Sequence, residues 1–303
     1  MTTGLENSCS RILFILNKKA GTGKNESLPE MLKGFCGNHS KESDILILEK
    51  KLGEEDVKQA IKDFKPDIVV AAGGDGTVNF VGKLLLNTKI CLGIIPLGSS
   101  NAFAKNLKIP LEIEPALDIL KNPVYREVDT LTVNDHVVLH VCDIGFNARV
   151  VERFEKFPFR GMLAYGINMV IELFRFHYFP YKVVAGKHNL KGKAFAITVT
   201  NTRIYGTLAA INPKGKMDDG QFEICIFNPP KWALPAMFIR LYRDNVDKSP
   251  FSIFIRDNNA IILNEKNASI HVDGEGKDLG KELRFVNHPS SLKVIVPKSE
   301  AVS

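Results

Sequence analysis

The segment Pro66–Asn79, PDIVVAAGGDGTVN, constrains the fold more than any other part of this 303-residue chain. Its apolar run is typical of a buried strand, the closely spaced glycines predict a tight turn, and an apolar helical pattern follows. A helix that begins directly after such a turn presents unpaired backbone amides and the positive end of its dipole, which attract phosphate. Asp75 lies among the glycines, and a carboxylate beside a polyphosphate needs a cation or a transferable proton between them. The segment therefore predicts a nucleotide site that handles metal ions or protons.

Two further glycine-containing loops also follow strand-like runs. The loop Asn17–Lys24 follows Arg11–Leu16, and the loop Pro96–Ala104 follows Ile90–Ile95. Neither loop has the spacing of a P-loop, and no Gly-x-Gly-x-x-Gly fingerprint of a dinucleotide dehydrogenase is present. Because ligands gather at the carboxyl ends of parallel strands, we expect the three loops to form one site.

The pattern of predicted strands and helices changes near residue 130. Residues 1–128 alternate strand and helix patterns, which predicts an α/β nucleotide-binding domain with a parallel sheet. Residues 129–287 contain short strand-like runs separated by polar turns, which predicts a β-rich antiparallel sandwich. The tail, residues 288–303, has the option of packing back onto the first domain.

Composition narrows the choice of partners. The net charge of +6 is too small to indicate a nucleic-acid partner and suits phosphates or an anionic membrane surface. The five cysteines lack metal-ligand spacing, which indicates reduced thiols in a cytoplasmic protein. No run approaches the roughly 18 consecutive apolar residues of a membrane span, so we expect any membrane association to be peripheral.

Five motifs in order along the chain carry a family resemblance: Asn17–Gly23, Gly73–Asn79, Pro96–Ala104, Asp219-Gly220 and Asp273-Gly274-Glu275. With them the chain resembles the diacylglycerol kinase catalytic-domain family, which includes bacterial lipid kinases and sphingosine kinases. The resemblance implies a first domain of the NAD kinase and diacylglycerol kinase type, which binds ATP, and a second domain that binds lipid. It also implies transfer of the γ-phosphoryl group of ATP to a lipid hydroxyl, of the diacylglycerol or sphingoid type, with Mg²⁺.

The resemblance assigns roles to individual residues. The Mg²⁺ ligands it implies are the carboxylate of Asp219 and the backbone carbonyls of Lys216 and Gln221. Glu275 would accept the proton of the lipid hydroxyl, with Asp273 orienting it or helping to hold a metal. Asp75 is the alternative proton acceptor, and the sequence leaves that choice open. The residues implied to bind ATP are Asn17, Gly21, Thr22, Gly73, Gly74, Asp75, Gly76, Thr77, Asn79, Gly98, Ser99 and Asn101.

The segment Glu152–Tyr181 interleaves aromatic rings with arginines and lysines. Within it, a helix is expected from about Gly161 to Phe174, with apolar residues at helical spacing: Leu163, Ile167, Val170, Ile171 and Phe174. Such a stripe is more often core than anything else. The density of rings and cations also suits an acyl-chain pocket or a membrane-facing lip.

The chain departs from the usual family pattern at Phe80, Ala102 and Glu49, and these departures bear on the choice of substrate. Two alternatives to a lipid kinase stay open. One is an NAD kinase-like enzyme, which shares the Gly-Gly-Asp-Gly-Thr loop, and the other is a catalytically weak regulator that binds nucleotide or lipid. A homodimer is also left open.

Overall fold

The structure is a computed structural model that describes residues 11–17, 27–39, 41–48, 53–158, 162–206 and 209–300. It divides into two compact units, residues 1–128 with 290–303 and residues 129–289. In the first unit, four strands and the second half of β18 lie in the order β2-β1-β3-β4-β18, and all four neighbouring pairs are parallel. The elements are β1 Arg11–Leu16, α1 Leu28–Asn38, β2 Glu42–Ile47, α2 Glu54–Phe64, β3 Ile68–Gly73, α3 Asp75–Leu84, β4 Cys91–Pro96, α4 Ala102–Asn106, α5 Ile113–Asp118, β5 Val124–Val133 and β18 Glu282–Val296.

The first unit follows from its apolar runs. Strands β3 and β4 are buried along their whole length, as expected for parallel strands covered on both faces. Side chains of β1, β3 and β4 pack with those of α1 in one core cluster. The alternation of strand and helix thus gives the predicted parallel sheet.

The second unit is the predicted antiparallel sandwich. One sheet has the order β14-β13-β10-β7-β16-β17, and the other contains β18, β15, β8 and β9. A core cluster with residues such as Ile197, Ile224, Ile262 and Phe285 joins the two inner faces. The elements are β6 His136–Val138, β7 Cys142–Gly145, α6 Phe146–Glu155, α7 Met162–Arg175, β8 Phe179–Ala185, β9 His188–Ala194, β10 Ala196–Thr200, β11 Ile204–Tyr205, β12 Ala209–Ala210, β13 Phe222–Phe227, α8 Leu234–Tyr242, β14 Ser252–Asp257, β15 Asn259–Leu263, β16 Ile270–Val272 and β17 Glu275–Lys277.

Several element boundaries differ from the sequence patterns. Helix α3 begins at Asp75, so Asp75, Gly76 and Thr77 of the predicted turn belong to the helix itself. The single 15-residue strand β18 continues across the boundary expected between residues 287 and 288. In the described part of the chain, no helix is long and apolar enough to cross a membrane.

Candidate functional site

Two glycine-containing turns, Gly73-Gly74 at the end of β3 and Gly98 after β4, contact each other and are called the glycine corners below. A Cβ added to Gly74 would lie 3.2 Å from the Gly98 Cα, and one added to Gly98 would lie 2.6 Å from the Gly74 Cα. A Cβ on Gly73 would lie 2.3 Å from the Thr77 Oγ1. These three glycines therefore let the two corners pack against each other and against α3. The structure thus brings together two of the three predicted loops, Gly73–Asn79 and Pro96–Ala104.

Polar side chains fix the shape of the paired corners. The Asp75 Oδ1 accepts the Phe103 amide at 3.2 Å, which ties α3 to α4. The Asn101 Oδ1 accepts the Gly98 amide at 3.0 Å, and its Nδ2 donates to the Gly98 carbonyl at 2.8 Å. The Asn17 Nδ2 donates to the Thr77 Oγ1 at 3.2 Å, so the end of β1 is held beside α3. Predicted ligand-binding residues thus support the loops themselves.

The beginning of α3 retains the amides that an anion would use. The Thr77 and Val78 amides bond to the Gly74 carbonyl at 2.9 and 3.1 Å. The Asp75 and Gly76 amides have no acceptor among the described residues. A Cβ on Gly76 would meet nothing within 4 Å, and Ser99 on the neighbouring corner is exposed. This open end of α3 is suited to a phosphate.

Two of the predicted nucleotide-binding residues, Gly21 and Thr22, lie outside the described residues. Asn79 lies on α3, one turn after Asp75, and is half-buried.

The Asp-Gly-Glu motif forms the tight hairpin between β16 and β17. Val272 pairs with Glu275, which leaves Asp273 and Gly274 as the two turn residues, at φ +51° and +88°. A two-residue turn with both φ angles positive is of type I′, and Asp-Gly is a preferred sequence for it. Glu275 is exposed and lies 3.0 Å from the Lys277 Nζ.

Asp273 anchors that hairpin. Its Oδ2 accepts the Leu139 amide at 3.0 Å, and its Oδ1 accepts the His140 and Val141 amides at 2.8 and 3.0 Å. Three backbone donors on one carboxylate fix the turn to the segment between β6 and β7. The structure thus gives Asp273 a supporting position and places Glu275 at the solvent-facing side of the turn.

Asp219 already has a cationic partner. Its Oδ2 contacts the Arg256 guanidinium, and its Oδ1 accepts the Gln221 amide at 3.2 Å. The Gly220 amide is held at 2.7 Å by the Asp129 Oδ2. A Mg²⁺ ion bound by Asp219 and by the Lys216 and Gln221 carbonyls would share this carboxylate with Arg256 or displace the guanidinium, and the assignment of these three residues as metal ligands stays a prediction. Among the residues that the structure describes, no group of three or more His, Cys, Asp or Glu side chains is arranged to hold a metal.

A buried polar cluster in the second unit was not predicted from the sequence. Asp143 and His271 are almost fully buried, and the His271 Nε2 lies 2.8 Å from the Asp143 Oδ2. Burial alone would raise the pKa of Asp143, but His271 and the hydrogen bonds from Thr198 and Asn147 lower it below its ordinary value. The available signal was a polar residue inside apolar strands, as in Cys142-Asp143-Ile144 and Ile270-His271-Val272.

Two tyrosines extend this cluster. The Tyr205 hydroxyl lies 3.1 Å from the His271 Nε2. Burial raises the pKa of Tyr165, which is hydrogen-bonded to Tyr205, to about 12. Burial likewise raises the pKa of Tyr205 well above its ordinary value, so both phenols stay protonated at neutral pH.

Of the predicted α7 stripe, Ile167, Val170 and Phe174 are exposed, so the interpretation of the stripe as core is wrong for these three residues. Ile171 is half-buried, and the side chain of Leu163 lies outside the described residues. The opposite face of α7, with Tyr165, Met169 and Leu173, packs against the cluster that also receives α8. Helix α7 therefore has two apolar faces, and the described residues of its own unit cover one of them and leave Ile167, Val170 and Phe174 exposed.

Comparisons with known proteins match each of the two parts of the chain to a described family. Residues 11–133 match the family described as "Diacylglycerol kinase catalytic domain", and residues 140–296 match the "YegS C-terminal NAD kinase beta sandwich-like domain". An α/β unit with glycine corners followed by this sandwich defines a kinase-type phosphotransferase.

Individual proteins that are similar to this chain indicate which kind of kinase it is. The chain is 30% identical to a protein named Diacylglycerol kinase from Bacillus subtilis (strain 168), over 80% of this chain and 81% of that protein. It is 28% identical to "Probable lipid kinase YegS-like" from Pseudomonas aeruginosa, over 76% of each chain. A crystal structure of a diacylglycerol kinase from Bacillus anthracis str. Sterne shares the fold, with a TM-score of 0.74 over 97% of this chain and 99% of that chain at 18% identity. The chain belongs to the diacylglycerol kinase family.

Proposed function

We propose that this kinase transfers the γ-phosphoryl group of ATP, supplied as its Mg²⁺ complex, to the hydroxyl of a diacylglycerol or sphingoid-type lipid. The observation that carries the proposal is the contact between the Gly74 and Gly98 corners, which leaves the first amides of α3 open to a phosphate. Backbone amides at a helix N-terminus hold phosphate without requiring a charged side chain. The names of the similar proteins support a lipid as the acceptor.

The chain's own residues supply the remaining tasks. Asp75 and Asn101 keep the two corners in shape through the bonds to Phe103 and Gly98. Glu275 accepts the proton of the lipid hydroxyl, because it is an exposed carboxylate on a short turn that Asp273 anchors. Mg²⁺ bound to the ATP phosphates offsets negative charge as the phosphoryl group moves.

Peripheral membrane contact is part of the proposal, since a lipid acceptor resides in a bilayer. Phe174 at the end of α7 is 84% exposed, and Trp232 just before α8 is 79% exposed. The Lys231 Nζ lies 5.5 Å from the Phe176 ring centroid, so these two segments are neighbours. Exposed aromatic side chains of this kind insert at the interface of a bilayer.

The charge of the same surface suits anionic lipid. Arg175 follows Phe174, and Lys231, Arg240 and Arg243 surround Trp232 and α8 without an acidic residue in 228–243. The one acidic residue of α7, Glu172, is buried and paired with Arg149 and Arg153 at 3.0 and 2.7 Å. Basic residues near an anionic surface attract it by about 1 kcal/mol each.

A homodimer stays a prediction.

The test incubates the chain with γ-labelled ATP, Mg²⁺ and separate acceptors: diacylglycerol, sphingosine, total lipid extract and NAD. We expect a labelled lipid, and Glu275→Gln to lower kcat by about 10²- to 10⁴-fold. Glu282→Gln is the matched control, because Glu282 is also an exposed glutamate of the second unit with a basic partner, Arg284. It should keep the activity of the unmodified chain.

The other outcomes separate the alternatives. Labelled NAD with unlabelled lipid would identify an NAD kinase-like enzyme. Binding of ATP with no labelled product would identify a regulator. Full activity in Glu275→Gln with loss in Asp75→Asn would move the proton acceptor to Asp75.

A further inference from the structure

A row of polar side chains crosses the six-stranded sheet of the second unit. His271 on β16 pairs in register with Asp143 on β7, and Asp143 pairs with Thr198 on β10. Directly paired residues point to the same face of a sheet, and their neighbours along each strand point to the other. Ile270, Val272, Cys142 and Ile144 lie in the sandwich core, so the polar row occupies the opposite face.

The row is buried and its contacts are specific. The Asp143 Oδ1 accepts hydrogen bonds from Thr198 and, at 3.1 Å, from the Asn147 Nδ2. The Asp143 Oδ2 lies 2.8 Å from the His271 Nε2, which also lies 3.1 Å from the Tyr205 hydroxyl. A buried carboxylate with these partners is costly to leave unpaired, which holds the imidazole in one orientation.

The second nitrogen of His271 reaches the Asp-Gly-Glu turn. The Gly274 amide donates to the His271 Nδ1 at 3.2 Å. A nitrogen that accepts an amide proton carries none itself, so the imidazole proton lies on Nε2, the nitrogen that is close to both the Asp143 Oδ2 and the Tyr205 hydroxyl. The contacts thus run from Asp143 through His271 to the residue directly before Glu275.

Burial does not require this last hydrogen bond. Gly274 is exposed, so its amide could bond to water equally well. The effect of the bond is to fix the peptide plane at the centre of the turn and with it the direction in which Glu275 leaves the turn. A type I′ turn is anchored by Asp273 on one side and by His271 on the other.

We infer that His271, held by Asp143, is a positioning residue for Glu275. This inference rests on the proposed function, in which Glu275 accepts the proton of the substrate hydroxyl. An error of about 1 Å in the placement of a reacting group lowers the rate by up to about 10²-fold, so loss of this support should appear in kcat.

Two variants separate the two ends of the imidazole. In His271→Gln the side-chain amide retains a donor near the Nε2 position and lacks the acceptor near Nδ1. In His271→Asn the side-chain oxygen replaces Nδ1, and Asp143→Asn is added so that no carboxylate is left buried without its partner. Each is compared with the unmodified chain and with Glu275→Gln for kcat, KM, melting temperature and hydrogen exchange of the Gly274 amide.

We expect His271→Gln to lower kcat about tenfold, with KM for both substrates within about twofold and faster exchange at Gly274. The double variant should retain kcat within about threefold and keep the Gly274 amide protected. The inference is overturned if the two variants have the same kcat, or if kcat falls in both only in step with the melting temperature. An active chain that Glu275→Gln silences and His271→Gln does not affect would overturn this inference alone, whereas an inactive parent chain would overturn the proposed function and this inference with it.

Discussion

Gly76 and Gly98 belong to the same pair of corners and differ in what surrounds them. A Cβ on Gly98 would approach the backbone of Gly74 to 2.6 Å, whereas a Cβ on Gly76 would meet no atom within 4 Å. The family resemblance implies that Gly73, Gly74, Gly76 and Gly98 all bind ATP. The structure divides them, since Gly73, Gly74 and Gly98 make room for protein and only Gly76 borders open space.

This difference predicts opposite results for two alanine substitutions. Gly98→Ala should destabilise the chain by about 1 to 3 kcal/mol, because the Cβ forces two backbones apart. Gly76→Ala should leave stability unchanged or raise it by up to about 1 kcal/mol, since Gly76 lies in the first turn of α3, yet its methyl group should weaken ATP binding. Thermal unfolding with and without ATP measures both effects. Unchanged ATP affinity in a folded Gly76→Ala variant would mean that no phosphate approaches this turn.

At the scale of elements, strands were predictable and helix faces were not. Strand β1 has the predicted bounds, Arg11–Leu16, because an apolar run ended by a polar loop specifies a buried strand on its own. Helix α7 was expected near Gly161–Phe174 and spans Met162–Arg175, but part of its stripe faces outward. Helical spacing identifies an apolar face and carries no information about which partner covers it.

Long-range pairings limited the prediction of the site in the same way. Arg256 on β14 neutralises Asp219, 37 residues earlier in the chain, and no local pattern connects them. The corners at Gly74 and Gly98 were predicted to meet because parallel strands place their carboxyl ends at one edge. That rule has no counterpart for a side chain that arrives from a distant strand.

The outward face of α7 and the start of α8 predict binding to anionic vesicles. The chain should co-sediment with vesicles containing phosphatidylglycerol and bind pure phosphatidylcholine less, and added salt should weaken binding because exposed charges are screened. Phe174→Ser combined with Trp232→Ser should lower the partition coefficient by at least about tenfold, through lost apolar contact with the bilayer. Met31→Ser is the control, since Met31 is 39% exposed on a helix of the first unit. Equal binding of the double variant and the control would exclude this surface.

At the scale of the whole molecule, the proposed tasks are divided between the two units. The glycine corners and α3 belong to the first unit, while Glu275 and its support by Asp273 and His271 belong to the second. Substitutions in the hairpin should therefore leave ATP binding intact while they lower turnover. Defects in binding and in turnover thus report on different units of one chain.

The pH dependence of unfolding should reveal two buried carboxylates whose pKa shifts on folding have opposite signs. The pKa of Asp143 is lowered in the folded chain, so its contribution to stability is present above the ordinary carboxyl pKa of about 3.9 and is lost as pH falls through the folded value. Burial raises the pKa of Glu223 and outweighs the hydrogen bond from Asn212, with the Arg256 Nε 3.4 Å away, so its ionised form opposes folding at neutral pH. That penalty disappears as pH falls through the raised pKa toward about 4.3.

Matched amide variants test these signs by urea unfolding between pH 7.5 and about pH 3. Asp143→Asn should be less stable than the unmodified chain at pH 7.5, by about 1 to 3 kcal/mol, because a charged hydrogen-bond acceptor is removed. Its deficit should shrink below about pH 4 as the unmodified chain loses its own contribution. Glu223→Gln should have its most favourable difference at pH 7.5, and that difference should decline as the unmodified chain takes up its proton. A deficit of Asp143→Asn that grows in acid would mean that the folded chain raises the pKa of Asp143, and that burial outweighs the contacts of His271, Thr198 and Asn147.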